Sequence, residues 1–296
     1  MSHQSITLTD GRALAWVAFG PVDGRPVVYC HGFPSAGAEA AFVEEAAHAA
    51  GACMLAPDRP GYGRSDRAPG RTLTGWVDDA VALLDHIEID AAPVIGFSGG
   101  GPYALACAAR CPGRFPRVAT FGALDWLAGA GSEADMAALS RLSIRLARRF
   151  PPAHAATFHL LAILIRIAPQ TLFSLLSAGH CPADQAVFGD PHVRSKWTLA
   201  LHDSVMQGAG GAIDELRLYV AARPFALTAI EVPVELWHGL DDTVVPPVHG
   251  ERLAAALPRC EARFLPGEGH FSTPVKAIGE ALERLVDAQH GSRPIA

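Results

Sequence analysis

The sequence has few charged residues for its length, and the charges it has nearly balance. Charged residues make up 18% of the 296, and the formal net charge is −6. Half of the residues are hydrophobic. Disorder requires high charge with low hydrophobicity, and nucleic-acid binding leaves a basic surface, so this composition favours neither. We therefore expect a folded protein whose partner is a small-molecule substrate and not a nucleic acid.

The six cysteines stand apart along the chain, and no two of them form a C-x-x-C pair. We interpret them as reduced thiols packed like small apolar side chains. Cys107 and Cys111 lie one helical turn apart, but two sulfurs without further ligands do not complete a tetrahedral site. The sequence therefore predicts no metal and no cofactor.

Long apolar runs are also missing. The run Leu160 to Ile165 ends at Arg166 and is far shorter than the roughly 20 residues of a membrane helix. Residues 2–5 are polar and do not resemble a signal peptide. We expect no membrane span and a cytoplasmic location, and no pattern indicates an oligomeric state. Residues 158–176 are rich in Leu, Ile and Phe, which we interpret as a buried core of helices and not as a lipid-binding face.

Strand and helix patterns alternate along the first 124 residues and again after residue 226. Two alternating apolar segments, Ile6 to Leu8 and Ala13 to Phe19, flank Asp10-Gly11 and predict a hairpin. The run Val27 to Cys30 is continuously apolar, which is typical of a strand covered on both faces. The remaining patterns predict strands at 53–56, 93–97, 118–124, 234–237 and 262–265, and helices at 38–50, 73–87, 99–111, 249–257 and 274–290. This order predicts a mostly parallel, doubly wound sheet.

Between the two alternating parts the patterns are mainly helical. They include helices at 134–150 and 155–167, separated by a break at Pro151-Pro152. We therefore predict a core formed by residues 1–124 and 227–296, with a helical cap inserted at 125–226. Trp126, Phe158 and Phe173 are the cap side chains that we expect to contact substrate.

A nucleophile motif stands at one strand-to-helix junction of the predicted core. Gly96-Phe97-Ser98-Gly99-Gly100 matches G-x-S-x-G and follows the apolar strand at 93–97. In this motif the serine lies on a tight, strained turn, and its neighbours two positions away must lack a Cβ. The helix that follows points its free N–H groups toward developing negative charge. Ser98 is therefore the predicted nucleophile.

The motif has companions in both core segments. They are His31-Gly32-Phe33-Pro34, residues 58–65 (DRPGYGRS), His238-Gly239 through Pro246, and Gly267-Glu268-Gly269-His270. With these segments in this order, the sequence resembles capped, esterase-like serine hydrolases of the α/β-hydrolase superfamily. The resemblance implies the α/β-hydrolase fold with an inserted helical cap.

A serine hydroxyl needs a base to take its proton, and an acid to orient that base. His270 follows the last predicted strand and is the expected base. The resemblance favours Asp242 as the acid, from its register between Gly239 and Pro246. Asp241, its neighbour, and Asp125, at the end of an earlier strand, remain alternatives.

The resemblance also assigns the two donors of an oxyanion hole. They are the backbone N–H groups of Phe33 and Gly99, and the Phe33 ring is expected to line the acyl pocket. Asp58 and Arg59 are interpreted as supports of the neighbouring loops and not as catalytic groups.

The identity of the nucleophile narrows the expected reaction. Members of the superfamily that open epoxides or displace halide use a carboxylate at the position of Ser98, so the serine favours acyl transfer. We expect hydrolysis of a carboxylic ester, or a related acyl bond, of a small apolar substrate through an acyl-serine. A carbon–carbon bond hydrolase, a lactonase or a perhydrolase with the same triad remains an alternative. So does an acyltransferase or a non-catalytic ligand-binding protein on the same fold.

Overall fold

An eight-stranded sheet forms the centre of the computed structural model, which describes residues 2–128 and 133–287. The strands are β1 Gln4–Thr7, β2 Ala13–Phe19, β3 Arg25–Cys30, β4 Ala52–Pro57, β5 Val94–Phe97, β6 Val118–Phe121, β7 Val234–Gly239 and β8 Cys260–Leu265. Their order in the sheet is β1-β2-β4-β3-β5-β6-β7-β8. The pairs β1–β2 and β2–β4 are antiparallel and all the others are parallel. The predicted hairpin and mostly parallel, doubly wound sheet are confirmed.

The helices follow the predicted alternation. They are α1 Glu44–Ala50, α2 Gly75–His86, α3 Gly101–Arg110, α4 Ala138–Arg149, α5 Pro151–Ile167, α6 Pro169–Ser177, α7 Pro182–Gly189, α8 Pro191–Asp203, α9 Gly210–Val220, α10 Pro247–Ala256 and α11 Ser272–Asp287. Short 3-10 helices span Gly37–Val43, Ser98–Gly100 and Leu227–Ala229. The helix predicted at 38–50 is thus a 3-10 turn followed by α1. The last predicted helix ended at His290, which lies outside the described residues.

One helix begins earlier than the sequence predicts. The sequence predicts a break at Pro151-Pro152 and a helix that starts at residue 155, but both prolines lie in the first turn of α5. Proline is tolerated there because the first N–H groups of a helix have no partner within the helix. The break therefore lies at Phe150, the single residue between α4 and α5.

Apolar clusters cover both faces of the sheet. Val28 belongs to the cluster under α2, α3 and α10, whereas its neighbour Val27 belongs to the cluster under α1 and α11. Successive strand residues point to opposite faces, so a strand that is apolar at every position is buried on both. The continuously apolar run at β3 is explained by this packing.

Helices α4 to α9 lie between β6 and β7 in the chain, where the cap is predicted. The two ends of the segment meet, because the Asp125 carboxylate pairs with Arg223 at 2.8 Å and the Trp126 ring packs against Phe225. We call α4 to α9 the inserted helices. The division at residues 124 and 226 stays a prediction.

The apolar segment at 158–176 is only partly buried, which corrects the interpretation of it as a buried core. Ile165 and Phe173 are buried, whereas Leu160, Ile163 and Ile167 are 59%, 56% and 72% exposed. Within the described residues no single helix is long and apolar enough to cross a membrane. Helices α5 and α6 reach that apolarity only as a pair, and the pair is bent by 116°.

Candidate active site

Ser98 lies at the tip of the turn between β5 and α3. Its φ is +53°, a left-handed value that is rare for a residue with a side chain. Gly96 and Gly100 make the turn possible: a Cβ on Gly96 would lie 2.7 Å from the Gly100 carbonyl oxygen, and one on Gly100 would lie 2.0 Å from the Cys30 carbonyl oxygen. The G-x-S-x-G turn thus has the strained geometry that presents a serine to the cavities at the carboxyl edge of the sheet, although Ser98 is only 7% exposed.

His270 lies in the loop between β8 and α11 and is buried. Its Nδ1 is 2.7 Å from the Asp242 Oδ2, and its ring packs against Phe97, the residue before Ser98, at 4.9 Å between centroids. With Nδ1 held by the carboxylate, Nε2 is the ring nitrogen left for proton transfer. Ser98 and His270 line one common cavity.

The Asp242 carboxylate is held by the turn that follows β7. Its Oδ1 accepts hydrogen bonds from the N–H groups of Val244 and Val245 at 2.9 and 2.8 Å, which directs Oδ2 toward His270. The His238 Nε2 lies 2.8 Å from the Val245 carbonyl oxygen in this turn, so this histidine supports the loop. Because the Val245 oxygen can only accept, that nitrogen is the donor.

The other two candidate acids lie elsewhere. Asp241 is exposed, and the Asp125 carboxylate pairs with Arg223. Of the three, the structure brings Asp242 to the histidine. Burial, the largest single effect, lowers the pKa of His270, but the charge and hydrogen bond of Asp242, with the charges of Asp184 and Glu39, together outweigh it, and the pKa lies above its ordinary value of 6.5.

Phe33 and Gly99, the predicted oxyanion donors, are neighbours in space. A Cβ on Gly99 would lie 2.6 Å from the Phe33 Cβ, and both residues line a cavity with Ser98. The peptide between Phe33 and Pro34 is cis. The structure thus brings the two backbone segments together beside the serine, as an oxyanion hole requires.

Arg59 supports the loop that carries Phe33 through hydrogen bonds to the two preceding residues. This fully buried guanidinium donates to the carbonyls of His31 and Gly32 and pairs with Glu215 of α9 at 2.7 Å. The Asp58 carboxylate accepts from the N–H groups of nearby turns. These contacts agree with the interpretation of both residues as loop supports.

Glu39 is a buried acid beside the site that sequence reasoning missed. Its Oε1 accepts from the Gly32 N–H at 2.8 Å and the Tyr29 hydroxyl at 2.9 Å, and the residue lines the cavity that contains His270. Burial raises the pKa of Glu39. Its position in the sequence, eight residues after His31, does not indicate a role in the site, because only the folded loop brings the side chain back to Gly32.

Asp184 of α7 is the second missed residue, and it holds the His270 loop. This buried carboxylate accepts from three consecutive N–H groups, those of His270 at 3.0 Å and of Phe271 and Ser272 at 2.8 Å each. It therefore caps the start of α11 from across the molecule. No local pattern could reveal a contact between residues 86 positions apart.

Asp184→Ala is expected to destabilise the protein by about 3 kcal/mol, since it leaves buried N–H groups without an acceptor. It should also lower kcat and shift the acidic limb of the pH–activity profile to lower pH, because the Asp184 charge helps to raise the pKa of His270. Thermal unfolding and a pH profile measure the two effects. Asp190→Ala, which removes an exposed cap of α8, is the matched control. It should lower the melting temperature without a change in the pH–activity profile. An unchanged pH profile in Asp184→Ala would show that the residue is only a helix cap.

Two cavities meet at Ser98. The first, about 460 Å³, is apolar: Phe33, Leu127, Phe158 and Ile165 are among its lining residues. The second, about 500 Å³, carries the polar groups Glu39, His180 and His270. As predicted, both cap phenylalanines line a cavity: Phe158 lines the first and Phe173 the second.

Trp126 lies outside both cavities, contrary to the expectation that it contacts substrate. Its ring packs against Phe225 and under the Arg223 guanidinium. Within the described residues, neither cavity is lined by Arg or Lys, and no cluster of three or more His, Cys, Asp or Glu side chains could hold a metal ion. All six cysteines are free.

The sheet order, the strained serine turn and the loops around it define an α/β-hydrolase fold. A sequence model of the family described as alpha/beta hydrolase fold matches residues 25–277. The chain therefore belongs to the α/β-hydrolase family, and the match supports hydrolase activity.

Individual relatives agree with this membership. The chain is 29% identical over 184 residues to the uncharacterized hydrolase YcgS of Bacillus subtilis (strain 168), a match that spans 60% of each chain. It is 28% identical over 247 residues to a non-heme chloroperoxidase of Streptomyces lividans, covering 82% of this chain and 83% of the relative. The bromoperoxidase structure from Bacillus anthracis superposes with a TM-score of 0.71 at 20% identity, over 97% of this chain and 100% of that one. At this identity the structural likeness shows the fold.

Proposed function

We propose that this protein is a serine hydrolase that cleaves carboxylic esters of small apolar substrates through an acyl-Ser98 intermediate. One observation carries the proposal: the strained serine lies where an apolar cavity meets a second cavity lined by His270, whose ring is hydrogen-bonded to the buried Asp242 carboxylate. An acyl group and a leaving group need separate space on either side of the attacked carbonyl, and the two cavities supply it.

In the first half of the reaction, Ser98 Oγ attacks the ester carbonyl carbon while His270 Nε2 takes the hydroxyl proton. The carbonyl oxygen becomes negative and is met by the N–H groups of Phe33 and Gly99, each worth about 3 to 4 kcal/mol in such sites. Asp242 stabilises the imidazolium that forms. Collapse of the tetrahedral intermediate breaks the ester C–O bond, and His270 returns its proton to the departing alcohol.

In the second half, water replaces the alcohol. His270 takes a proton from the water as it attacks the acyl carbonyl, and the same two N–H groups hold the second oxyanion. His270 then protonates Ser98 Oγ, which releases the carboxylic acid. This cycle uses no group beyond those named.

The lining of the cavities supports an uncharged substrate. Of the 24 residues that line the first cavity with Ser98, 17 are Leu, Ile, Phe or Val, so apolar surface of the substrate gains roughly 25 cal/mol for each Å² removed from water there. A carboxylate on the substrate would find no Arg or Lys among the described residues of either cavity and would face Glu39 in the second. Neutral, apolar esters are therefore the proposed substrates.

The proposal is tested by labelling with a fluorophosphonate, which forms a covalent bond with an activated serine. The wild-type protein should bind one equivalent of probe and hydrolyse a neutral p-nitrophenyl ester, and Ser98→Ala should lose both properties without a change in melting temperature. Ser140→Ala is the matched control, because Ser140 lines both cavities without lying on the strained turn. Labelling that persists in Ser98→Ala would remove the serine from its proposed role.

Product analysis with competing acceptors tests the reaction type. In buffer that contains an alcohol or an amine, the proposed hydrolase should release mainly the free acid. Predominant transfer of the acyl group to the added acceptor would make the protein an acyltransferase, and labelling without any turnover of esters would contradict ester hydrolysis.

A further inference from the structure

The structure carries an unpartnered apolar face on the inserted helices. Its members are Leu139, Leu142, Leu160, Ile163, Leu164 and Ile167, which we call the apolar face. The four residues on α5 follow the spacing i, i+3, i+4, i+7, so they form one stripe of the helix. Helix α4 packs against α5, and Leu139 and Leu142 of α4 line the same cavity as Leu160 and Leu164 of the stripe.

Exposure of these side chains is high. Leu139 is 68% exposed and Ile167 is 72% exposed. Scattered single apolar residues on a surface need no explanation, but a contiguous group of this kind marks an interaction site. Among the described residues, nine of the fourteen exposed large hydrophobic side chains lie between Leu139 and Leu176.

The charged residues of the segment that carries this face are nearly all of one sign. Between Met136 and Ala183 the sequence contains five arginines and no Asp, Glu or Lys, whereas the whole chain has a net charge of −6. The arginines are Arg141, Arg145, Arg148, Arg149 and Arg166. Glu133, just before this segment, pairs with two of them, Arg145 and Arg148. The segment itself contains no acidic residue that could balance the other arginines. On α4 the arginine stripe adjoins the leucine stripe, since residues 139 and 142 and residues 141, 145 and 149 occupy neighbouring helical faces.

We infer that this face docks on an anionic lipid surface. An apolar stripe flanked by arginines is the pattern of a helix that lies in a membrane interface, with its apolar side chains among the acyl chains and its cations at the headgroups. Long arginine side chains reach the headgroup level while their stems cover apolar surface. A second copy of the chain fits less well, because a symmetric contact through this face would place its net positive charge against the same net positive charge.

The docked face leads to the site. Four of its members, Leu139, Leu142, Leu160 and Leu164, also line the apolar cavity that contains Ser98. A docked protein would therefore open that cavity toward the lipid, and an apolar ester dissolved there could enter without crossing water. The delivery of substrate depends on the proposed function, whereas the docking does not.

Binding to vesicles tests the docking separately from catalysis. We expect the protein to sediment with vesicles of phosphatidylglycerol and phosphatidylcholine, to bind pure phosphatidylcholine at least about tenfold more weakly, and to be released as salt screens the charges. Ser98→Ala should bind as the wild type does, so a failure of the proposed function leaves this result unchanged. An absence of binding to the anionic vesicles would overturn the inference.

Two variants and two matched controls locate the contact. Ile163→Ser with Ile167→Ser should weaken binding at least about tenfold because it removes two inserted side chains, and Arg149→Glu should weaken it with a reduced salt dependence. Val22→Ser removes an exposed apolar side chain and Arg259→Glu reverses a positive charge near the amino ends of β3 and β8, at the opposite edge of the sheet. Both control variants should bind vesicles as the wild type does. Equal binding by all four variants, or a dimer in sedimentation equilibrium that the Ile163→Ser and Ile167→Ser substitutions dissociate, would overturn the inference.

Discussion

Replacement of His270 by alanine is expected to lower kcat for ester hydrolysis by about 10⁶-fold, the loss found when the base of a serine triad is removed. Without the imidazole, the Ser98 hydroxyl keeps its proton and remains a weak nucleophile. Single-turnover acylation with a chromogenic ester measures the effect directly. Circular dichroism and thermal unfolding establish that the variant is folded.

Histidine controls make this result specific. His192→Ala changes an exposed residue at the start of α8 and should leave kcat unchanged. His180→Ala removes a ring that lines the same cavity as His270 and stacks on Phe271, so it should affect substrate binding far more than the chemical step. A larger loss in His180→Ala than in His270→Ala would transfer the role of base to His180.

The double variant Ser98→Ala, His270→Ala supplies a second check. Residues that act as one unit are not additive, so the double variant should be about as slow as either single variant. Multiplied effects would mean that the two residues act in separate steps, which contradicts the proposed proton transfer between them.

The parts of the fold and site that the sequence predicts are those set by neighbouring residues. The alternation of apolar residues sets which strand face is buried, and Gly96 and Gly100 specify the turn on which Ser98 stands because any Cβ there would meet backbone atoms. His270 is predicted from its place after the last strand and Asp242 from the family resemblance of its loop, and the parallel strands β7 and β8 bring both loops to one edge. Local chemistry and sheet topology together account for these results.

The parts that sequence reasoning missed depend on contacts between distant residues. Asp184 gives no sign in its own helix that it caps α11, and Glu39 becomes part of the site only because its loop folds back on Gly32. The composition of 158–176 shows that α5 and α6 are apolar but not which side of each helix finds a partner. Burial of Ile165 and exposure of Ile167 follow from how these helices pack, which periodicity alone does not decide.

The identity of the acid has the most direct test. Asp242→Asn is expected to lower kcat by about 10⁴-fold, because the amide can present an N–H to Nδ1 and hold His270 in the wrong tautomer. The Val244 and Val245 hydrogen bonds can persist on the remaining oxygen, so the loop and the fold should survive. Single-turnover acylation measures the loss.

The pH profile and one control variant complete this test. In the wild type, kcat/KM should rise with pH through an apparent pKa above 6.5, because His270 accepts a proton only when neutral and the Asp242 carboxylate raises its pKa. Removal of that charge in Asp242→Asn should move the acidic limb to lower pH, so the variant loses less of its own maximum as the solution becomes acidic. Asp125→Asn, which breaks a partly exposed pair with Arg223, should show a small loss and an unmoved limb, since that carboxylate is bonded away from the histidine. If the two variants showed the reverse order of losses, with both proteins folded, the acid of the triad would be Asp125.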